Sequence, residues 1–180
     1  MKLARTLALA AIAGLMLGLA ATWWFRPVPP KPFAPSVNLL GSQRPDFALT
    51  DRAGQTRRIA DFDGRPLLIN FWATWCSPCI REMPLLQELA DSRSRALTVL
   101  GIAIDEPGLV REFLDRLQIR YPNLLADEQS EAIQAAFGNP GRMLPYSVLV
   151  DTQGIIRWHH LGELNGDLID VALAHAGVEK

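Results

Sequence analysis

Two cysteines occur in 180 residues, three positions apart, in Trp75-Cys76-Ser77-Pro78-Cys79. A C-x-x-C pair can form a reversible disulfide, supply half of a zinc site, or close a small structural loop. Structural zinc takes about four ligands, but there is no second C-x-x-C, and His159, His160 and His175 lie far along the chain. So short a loop stabilises little by restraining the unfolded chain. Dithiol redox chemistry is the reading these facts favour. Position decides which sulfur is the nucleophile. The apolar run Leu67-Leu68-Ile69-Asn70-Phe71-Trp72 ends just before the motif, and a helical pattern begins just after it. A strand that hands the pair to a helix N-terminus sets the first cysteine against unpaired N–H groups and the positive end of the helix dipole. Both favour thiolate. Cys76 is therefore expected to attack and Cys79 to resolve.

At roughly 100° per residue, Met83, Leu85, Leu86, Leu89 and Ala90 share one arc of that helix with Cys79, and Glu82 falls inside it. Arg81, Glu88, Asp91 and Ser92 fall opposite. A carboxylate inside an apolar stripe loses solvation, so its pKa rises and it can exchange protons with a nearby thiol. The competing reading has Glu82 curling to solvent, where it merely complements the helix dipole.

Placing these groups requires a buried strand, a helix and a supporting sheet. Phe47–Thr50 and Gln55–Ile59 flank Asp51-Arg52-Ala53-Gly54 and predict a β-hairpin. Leu67–Trp72 and Leu97–Ile104 are continuous apolar runs of the kind found in central strands. A helix is predicted over 77–92. Another opens at Pro107, where a missing N–H is harmless, and carries Leu109, Val110, Phe113, Leu114 and Leu117. Tyr121–Ala126 predicts a short strand and Glu131–Phe137 a short helix. Ser147–Val150 and Ile155–Leu161 form a second hairpin around Asp151-Thr152-Gln153-Gly154, and Asp167–Ala176 a last helix stopped by Gly177. Strands alternating with helices, with hairpins at both ends, give an α/β fold with a mixed central sheet flanked by helices.

The N-terminus is of another kind. Lys2 and Arg5 precede an uncharged run from Leu7 to Phe25, 19 residues, which suffices to span a hydrocarbon core. Trp23-Trp24-Phe25 resemble an interfacial belt and are followed by Arg26. Gly18-Leu19-Ala20 is an acceptable cleavage site, so a signal peptide is the alternative over 1–25. Run length and tryptophans favour an uncleaved anchor, and the lack of a following cysteine excludes a lipoprotein anchor. The positive-inside rule then puts the rest of the chain across the membrane. The expected location is the cytoplasmic (inner) membrane, single-pass, with the catalytic domain facing the periplasm or cell exterior. Residues 26–40 contain Pro27, Pro29, Pro30, Pro32 and Pro35 and predict a semi-rigid linker. Residues 41–180 suffice for one domain. Without Lys2, Arg5 and Arg26, 15 basic side chains face 19 acidic ones with no basic cluster, which gives no support for nucleic-acid binding.

Phe71-Trp72-Ala73-Thr74-Trp75-Cys76-Ser77-Pro78-Cys79 resembles the thioredoxin superfamily. Pro84, eight residues after Cys76, falls where that superfamily kinks its active-site helix, and Leu144-Pro145 falls where it places a cis-proline facing the dithiol. A trans loop proline is the alternative. A cis-proline removes an N–H and opens the Leu144 backbone to pair with an incoming peptide. The N-terminal anchor, the Pro107–Phe137 insertion and Glu82 three residues after Cys79 resemble the TlpA/ResA-type membrane-anchored thiol–disulfide oxidoreductases. The resemblance covers residues 41–176. It implies a thioredoxin-like fold with an N-terminal β-hairpin and a short central insertion, preceded by a transmembrane helix. It also implies protein disulfides as substrates, a transmembrane thiol electron donor, and no cofactor besides the Cys76–Cys79 disulfide. A monomer is expected. Trp75, Leu144 and Pro145 would bind substrate, and Trp72 would be core. Asn70 is a departure: thioredoxin has there a buried Asp that accepts the resolving cysteine's proton. Asn cannot, and Glu82 is the candidate replacement.

Ile155-Ile156-Arg157-Trp158-His159-His160-Leu161-Gly162 is similar to the cytochrome c-maturation branch of the family, whose acidic residue after the cis-proline is replaced here by Tyr146. A dithiol reductase is the expected activity. Its rivals are a disulfide-forming oxidase, a peroxidase, and a copper chaperone using Cys76, Cys79 and His159 or His160. Ser77-Pro78 lacks the His that often stabilises an oxidase's thiolate. Ile69 and Ala73 stand where a peroxidase has a proline- and threonine-bearing approach.

Overall fold

Six consecutive buried residues place Leu67–Trp72 in the interior of the sheet. The structure is a computed structural model that describes residues 39–126 and 129–177. The expected membrane span over 1–25 and the linker as far as residue 38 lie outside these residues. Among the described residues no helix is long and apolar enough to cross a membrane.

The strands are β1 Ala48–Asp51, β2 Thr56–Arg58, β3 Leu67–Trp72, β4 Thr98–Ala103, β5 Asn123–Leu125, β6 Tyr146–Val150 and β7 Ile156–Leu161. Four α-helices are described: α1 Ser77–Ser92, α2 Pro107–Arg116, α3 Ser130–Ala136 and α4 Gly166–His175. The hairpin expected to run to Ile59 stops at Arg58. Asp61 accepts from the Arg58 amide at 3.0 Å and from Arg57 Nε at 3.2 Å, which winds Ile59–Phe62 into a 3-10 turn and buries Ile59.

The sheet order is β2-β1-β5-β4-β3-β6-β7. β3, β4 and β5 run parallel, joined through α1 and α2, while β1, β2, β6 and β7 pair antiparallel. This is the expected mixed sheet. Leu68, Trp72, Val99, Ala103 and Leu149 face α1, α2 and α4. Ile69, Phe71, Leu100, Ile102 and Val148 face the opposite way, towards Ile133 and Phe137. The alternation of side chains along a strand assigns each residue to its face.

Register also builds a polar row across the α1 side of the sheet. Asn123 opposes Gly101, Gly101 opposes Asn70, Asn70 opposes Ser147, and Ser147 opposes His160. Gly101 leaves room for its neighbours: a Cβ there would lie 1.9 Å from Asn123 Oδ1 and 3.0 Å from Trp72 Nε1. Those two atoms hydrogen-bond at 2.8 Å, with Trp72 donating, and Asn123 Nδ2 donates to the Tyr121 carbonyl at 3.0 Å. Gly101→Ala is therefore expected to break the buried indole–amide bond and destabilise the domain by about 2–3 kcal/mol, the cost of stranding buried polar groups plus a clash. Urea unfolding midpoints of the two proteins would measure this, and equal midpoints would show that Asn123 moves aside freely.

Candidate active site

β3 delivers the cysteines. Beyond Trp72 the chain turns through Ala73, Thr74 and Trp75, with the Cys76 amide donating to the Ala73 carbonyl at 3.2 Å. Asp105, just after β4, holds this turn by accepting from the Thr74 amide at 3.1 Å and from the Thr74 hydroxyl. Cys76 is the N-cap of α1, and its Sγ accepts from the Cys79 amide at 3.3 Å. The helix N-terminus expected from sequence is thus aimed at the first sulfur. Cys76 and Cys79 are joined as a disulfide. Cys76 retains 5% exposure and Cys79 none, so the outer sulfur belongs to the helix-capping residue. Trp75 beside it is 69% exposed, an uncommon placement for so large an apolar ring. Trp72 is fully buried, in the core.

The Leu144–Pro145 peptide is cis. Because Phe71 opposes Tyr146 in the antiparallel β3–β6 pair, Pro145 stands level with the end of β3 that leads to the cysteines. Leu144 packs against the hydrophobic cluster that contains Cys76 and Cys79. The Pro145 carbonyl accepts from the Gly162 amide at 2.9 Å, at the turn out of β7 where Gly162 has a φ of +119°. Tyr146 points to the other face, where its hydroxyl donates to the Phe137 carbonyl at 2.8 Å.

Glu82 lies one turn beyond Cys79 on α1 and is 1% exposed. It does not curl to solvent. Asn70 Nδ2 donates to Oε1 at 2.7 Å and the Leu164 amide donates to Oε2 at 2.6 Å. Burial pushes its pKa up to about 7. The hydrogen bonds from Leu164 and Asn70 oppose that rise, and the nearby Glu163 charge adds to it. Desolvation wins because two donors replace only part of a carboxylate's lost hydration. Arg81 reaches Glu163 through Nε at 3.0 Å, so consecutive residues of α1 grip consecutive residues of the β7–α4 loop.

Sequence reading singles out Asn70 as unable to take a proton, but not as the partner of Glu82. It misses Ser147, which accepts from Asn70 Nδ2 at 3.0 Å, although a serine within the otherwise apolar and aromatic buried run Tyr146–Val150 is a signal. The Leu164 contact uses a main-chain amide and leaves no trace in residue type. The copper site expected as an alternative is not assembled. His159 opposes Val148 on the face away from the cysteines and packs on Tyr146, while His160 stacks on Trp158. Among the described residues no three of His, Cys, Asp and Glu come together as metal ligands.

A disulfide on a helix N-terminus, an exposed ring beside it, a cis-proline at the adjoining strand end and a buried carboxylate behind it suit exchange of electrons with another disulfide. Comparison with known proteins agrees. The family model described as AhpC/TSA matches residues 40–159. A protein named thiol-disulfide oxidoreductase ResA from Geobacillus kaustophilus is 36% identical over 120 residues, covering 66% of this chain and 67% of the relative. A thiol:disulfide interchange protein of the thioredoxin family from Chlorobium tepidum shares the fold with a TM-score of 0.67 and 24% identity, covering 78% of this chain and 99% of that one. The exposed lipoprotein thioredoxin of Streptococcus pneumoniae follows with a TM-score of 0.63 and 26% identity, covering 72% and 98%. The chain belongs to the AhpC/TSA family and is one of its thioredoxin-like thiol–disulfide oxidoreductases.

Proposed function

We propose that this oxidoreductase works as a reductase of protein disulfides, anchored by residues 1–25 in the cytoplasmic membrane with its domain outside the cytoplasm. The Cys76 thiolate attacks one sulfur of a substrate disulfide, forming a mixed disulfide and expelling a substrate thiolate. Cys79 gives its proton to the Glu82 carboxylate and attacks Cys76, which releases the second substrate thiolate. Two electrons have passed to the substrate, and the enzyme holds a Cys76–Cys79 disulfide. An oxidising compartment would keep it so. Turnover therefore needs an electron source in the membrane, a transmembrane thiol carrier. Trp75 and the Leu144-Pro145 backbone form the surface on which a substrate strand is laid.

The observation that most supports this reading is the buried Glu82 carboxylate one turn behind the resolving cysteine, titrating near neutrality where a proton acceptor is useful. The direction of electron flow is argued from Ser77-Pro78, which brings no histidine to the thiolate. Equilibration of the full chain with glutathione is expected to give a reduction potential below roughly −200 mV; a value near the figure of about −120 mV for DsbA would turn the reading into an oxidase. A second, narrower reading takes cytochrome c precursors as clients. What favours it is the similarity of Ile155–Gly162 to that branch.

A further inference from the structure

Asn70, Glu82 and Ser147 form a closed group of side chains, 0%, 1% and 0% exposed. Asn70 Nδ2 spends both of its protons inside the group, one on Glu82 Oε1 at 2.7 Å and one on Ser147 Oγ at 3.0 Å. Asn70 Oδ1 is buried with no partner. Orphaned buried acceptors are uncommon enough in folded proteins to call for an explanation.

The arrangement suits one ionisation state only. A carboxylate accepts at both oxygens, which matches the amide donors of Asn70 and Leu164. A carboxylic acid must place one O–H, and a main-chain amide cannot accept it. The proton therefore fits at Oε1, and its O–H then needs an acceptor, which Nδ2 cannot be. The geometry points to Asn70 as a positioning residue that follows the protonation of Glu82, turning its amide over so that Oδ1 accepts from the Glu82 hydroxyl and from Ser147. Serine suits the third place because a hydroxyl both accepts and donates, reversing by simple rotation. The unpartnered Oδ1 is then the acceptor that the acid form uses, and the turn carries the two Nδ2 protons into the place Oδ1 leaves, a cost set against the bond gained by the Glu82 hydroxyl. A turn of about 180° about the last side-chain bond exchanges two nearly isosteric ends, since that torsion is roughly two-fold.

The inference rests on Glu82 being the proton acceptor for Cys79, and it explains how Asn stands where thioredoxin has a titrating Asp. The amide carries no proton itself but gives both forms of Glu82 a matching partner. Other groups facing the site do not replace it. On α1 there is Cys79 one turn earlier, and Arg81, which pairs with Glu163. Glu163 on the β7–α4 loop raises Glu82, and the buried Tyr121 hydroxyl ahead of β5 is itself raised, by burial and then by Glu82. β4 contributes only Gly101 to this row, and on β7 His160 stands beyond Ser147.

The test is NMR on the full oxidised chain labelled at Asn and Glu, following the Glu82 13Cδ shift and the contacts of the Asn70 amide protons between about pH 5 and pH 9. At high pH those protons should show nuclear Overhauser contacts to Glu82 Hγ and Ser147 Hβ. At low pH the contacts should vanish with the same midpoint as the 13Cδ shift. In Glu82→Gln the low-pH pattern should persist throughout, because the Gln amide donates where the acid did. If 13Cδ titrates while the amide contacts stay unchanged in the wild type, Asn70 is a fixed donor and the inference fails, although Glu82 keeps its role. If 13Cδ does not titrate in this range, the inference and the role of Glu82 fail together.

Discussion

Replacing Cys79 by Ser is expected to stop turnover and accumulate proteins disulfide-linked to Cys76, whereas Cys76→Ser should stop turnover and trap nothing. The asymmetry comes from position. Cys76 caps α1, its sulfur accepts the Cys79 amide, and it is the cysteine of the pair with any exposure. A sulfur at a helix N-terminus gains thiolate character, and an attacking sulfur must also be reached by its target. Cys79 is fully buried, so it meets a mixed disulfide only from inside, through Cys76. Without Cys79 the intermediate waits for an external thiol, and its lifetime lengthens from that of an intramolecular step to that of a bimolecular one. Non-reducing electrophoresis of membranes from cells making each variant reads the result, and the trapped proteins name the clients. Faster alkylation of Cys79 than of Cys76 in the reduced chain would exchange the two roles.

For Glu82→Gln, two effects are expected, a loss of rate and a gain of stability at high pH. The first follows from proton transfer. Gln keeps the shape of Glu82 and, like its acid form, has one accepting and one donating end, but it cannot take a proton, and neither can Asn70. Resolution of the mixed disulfide should slow about 100-fold near neutral pH, the lower end of general acid–base contributions. Rate–pH curves that overlay the wild type would leave proton acceptance to water. The second effect follows from burial, which lifts the Glu82 pKa from an ordinary value of 4.5 to about 7 in the fold. The folded chain therefore binds more protons between those values, and wild-type stability falls as pH rises through them. At about 1.4 kcal/mol per pH unit the loss is about 3 kcal/mol by pH 8, and none of it applies below pH 4. Glu82→Gln lacks this loss. Its unfolding free energy relative to the wild type should be about 3 kcal/mol higher at pH 8 than at pH 4, read from urea denaturation at both. A difference independent of pH would mean that Glu82 is charged at little cost in the fold.

Much of the fold is legible in local pattern. Leu67–Trp72 and Ser77–Ser92 lie where the apolar run and the helical arc place them. Pro107 opens α2, and Gly177, with φ +67°, follows the end of α4. Ile59 leaves the expected strand because its apolar character marks burial in either conformation, and the Asp61 contacts that turn the chain outweigh strand propensity there. The burial of Glu82 is legible as well, since a helix's period places a residue on its buried or exposed side whatever lies opposite.

What lies opposite is not legible. Leu164 is 82 positions from Glu82, and Ser147 is 77 from Asn70. They meet because β6 pairs antiparallel with β3 in one register and the β7–α4 loop closes over α1. The same register separates His159 from His160 and carries Tyr146 away from the dithiol. The sequence by itself determined the redox pair, its strand and helix, and which side of each element is buried, because these follow from spacing along one element. Only the tertiary structure decided the partners of the buried carboxylate and the unpartnered Asn70 oxygen. Register between strands depends on side-chain packing summed over the whole sheet, and no short stretch of chain encodes that sum.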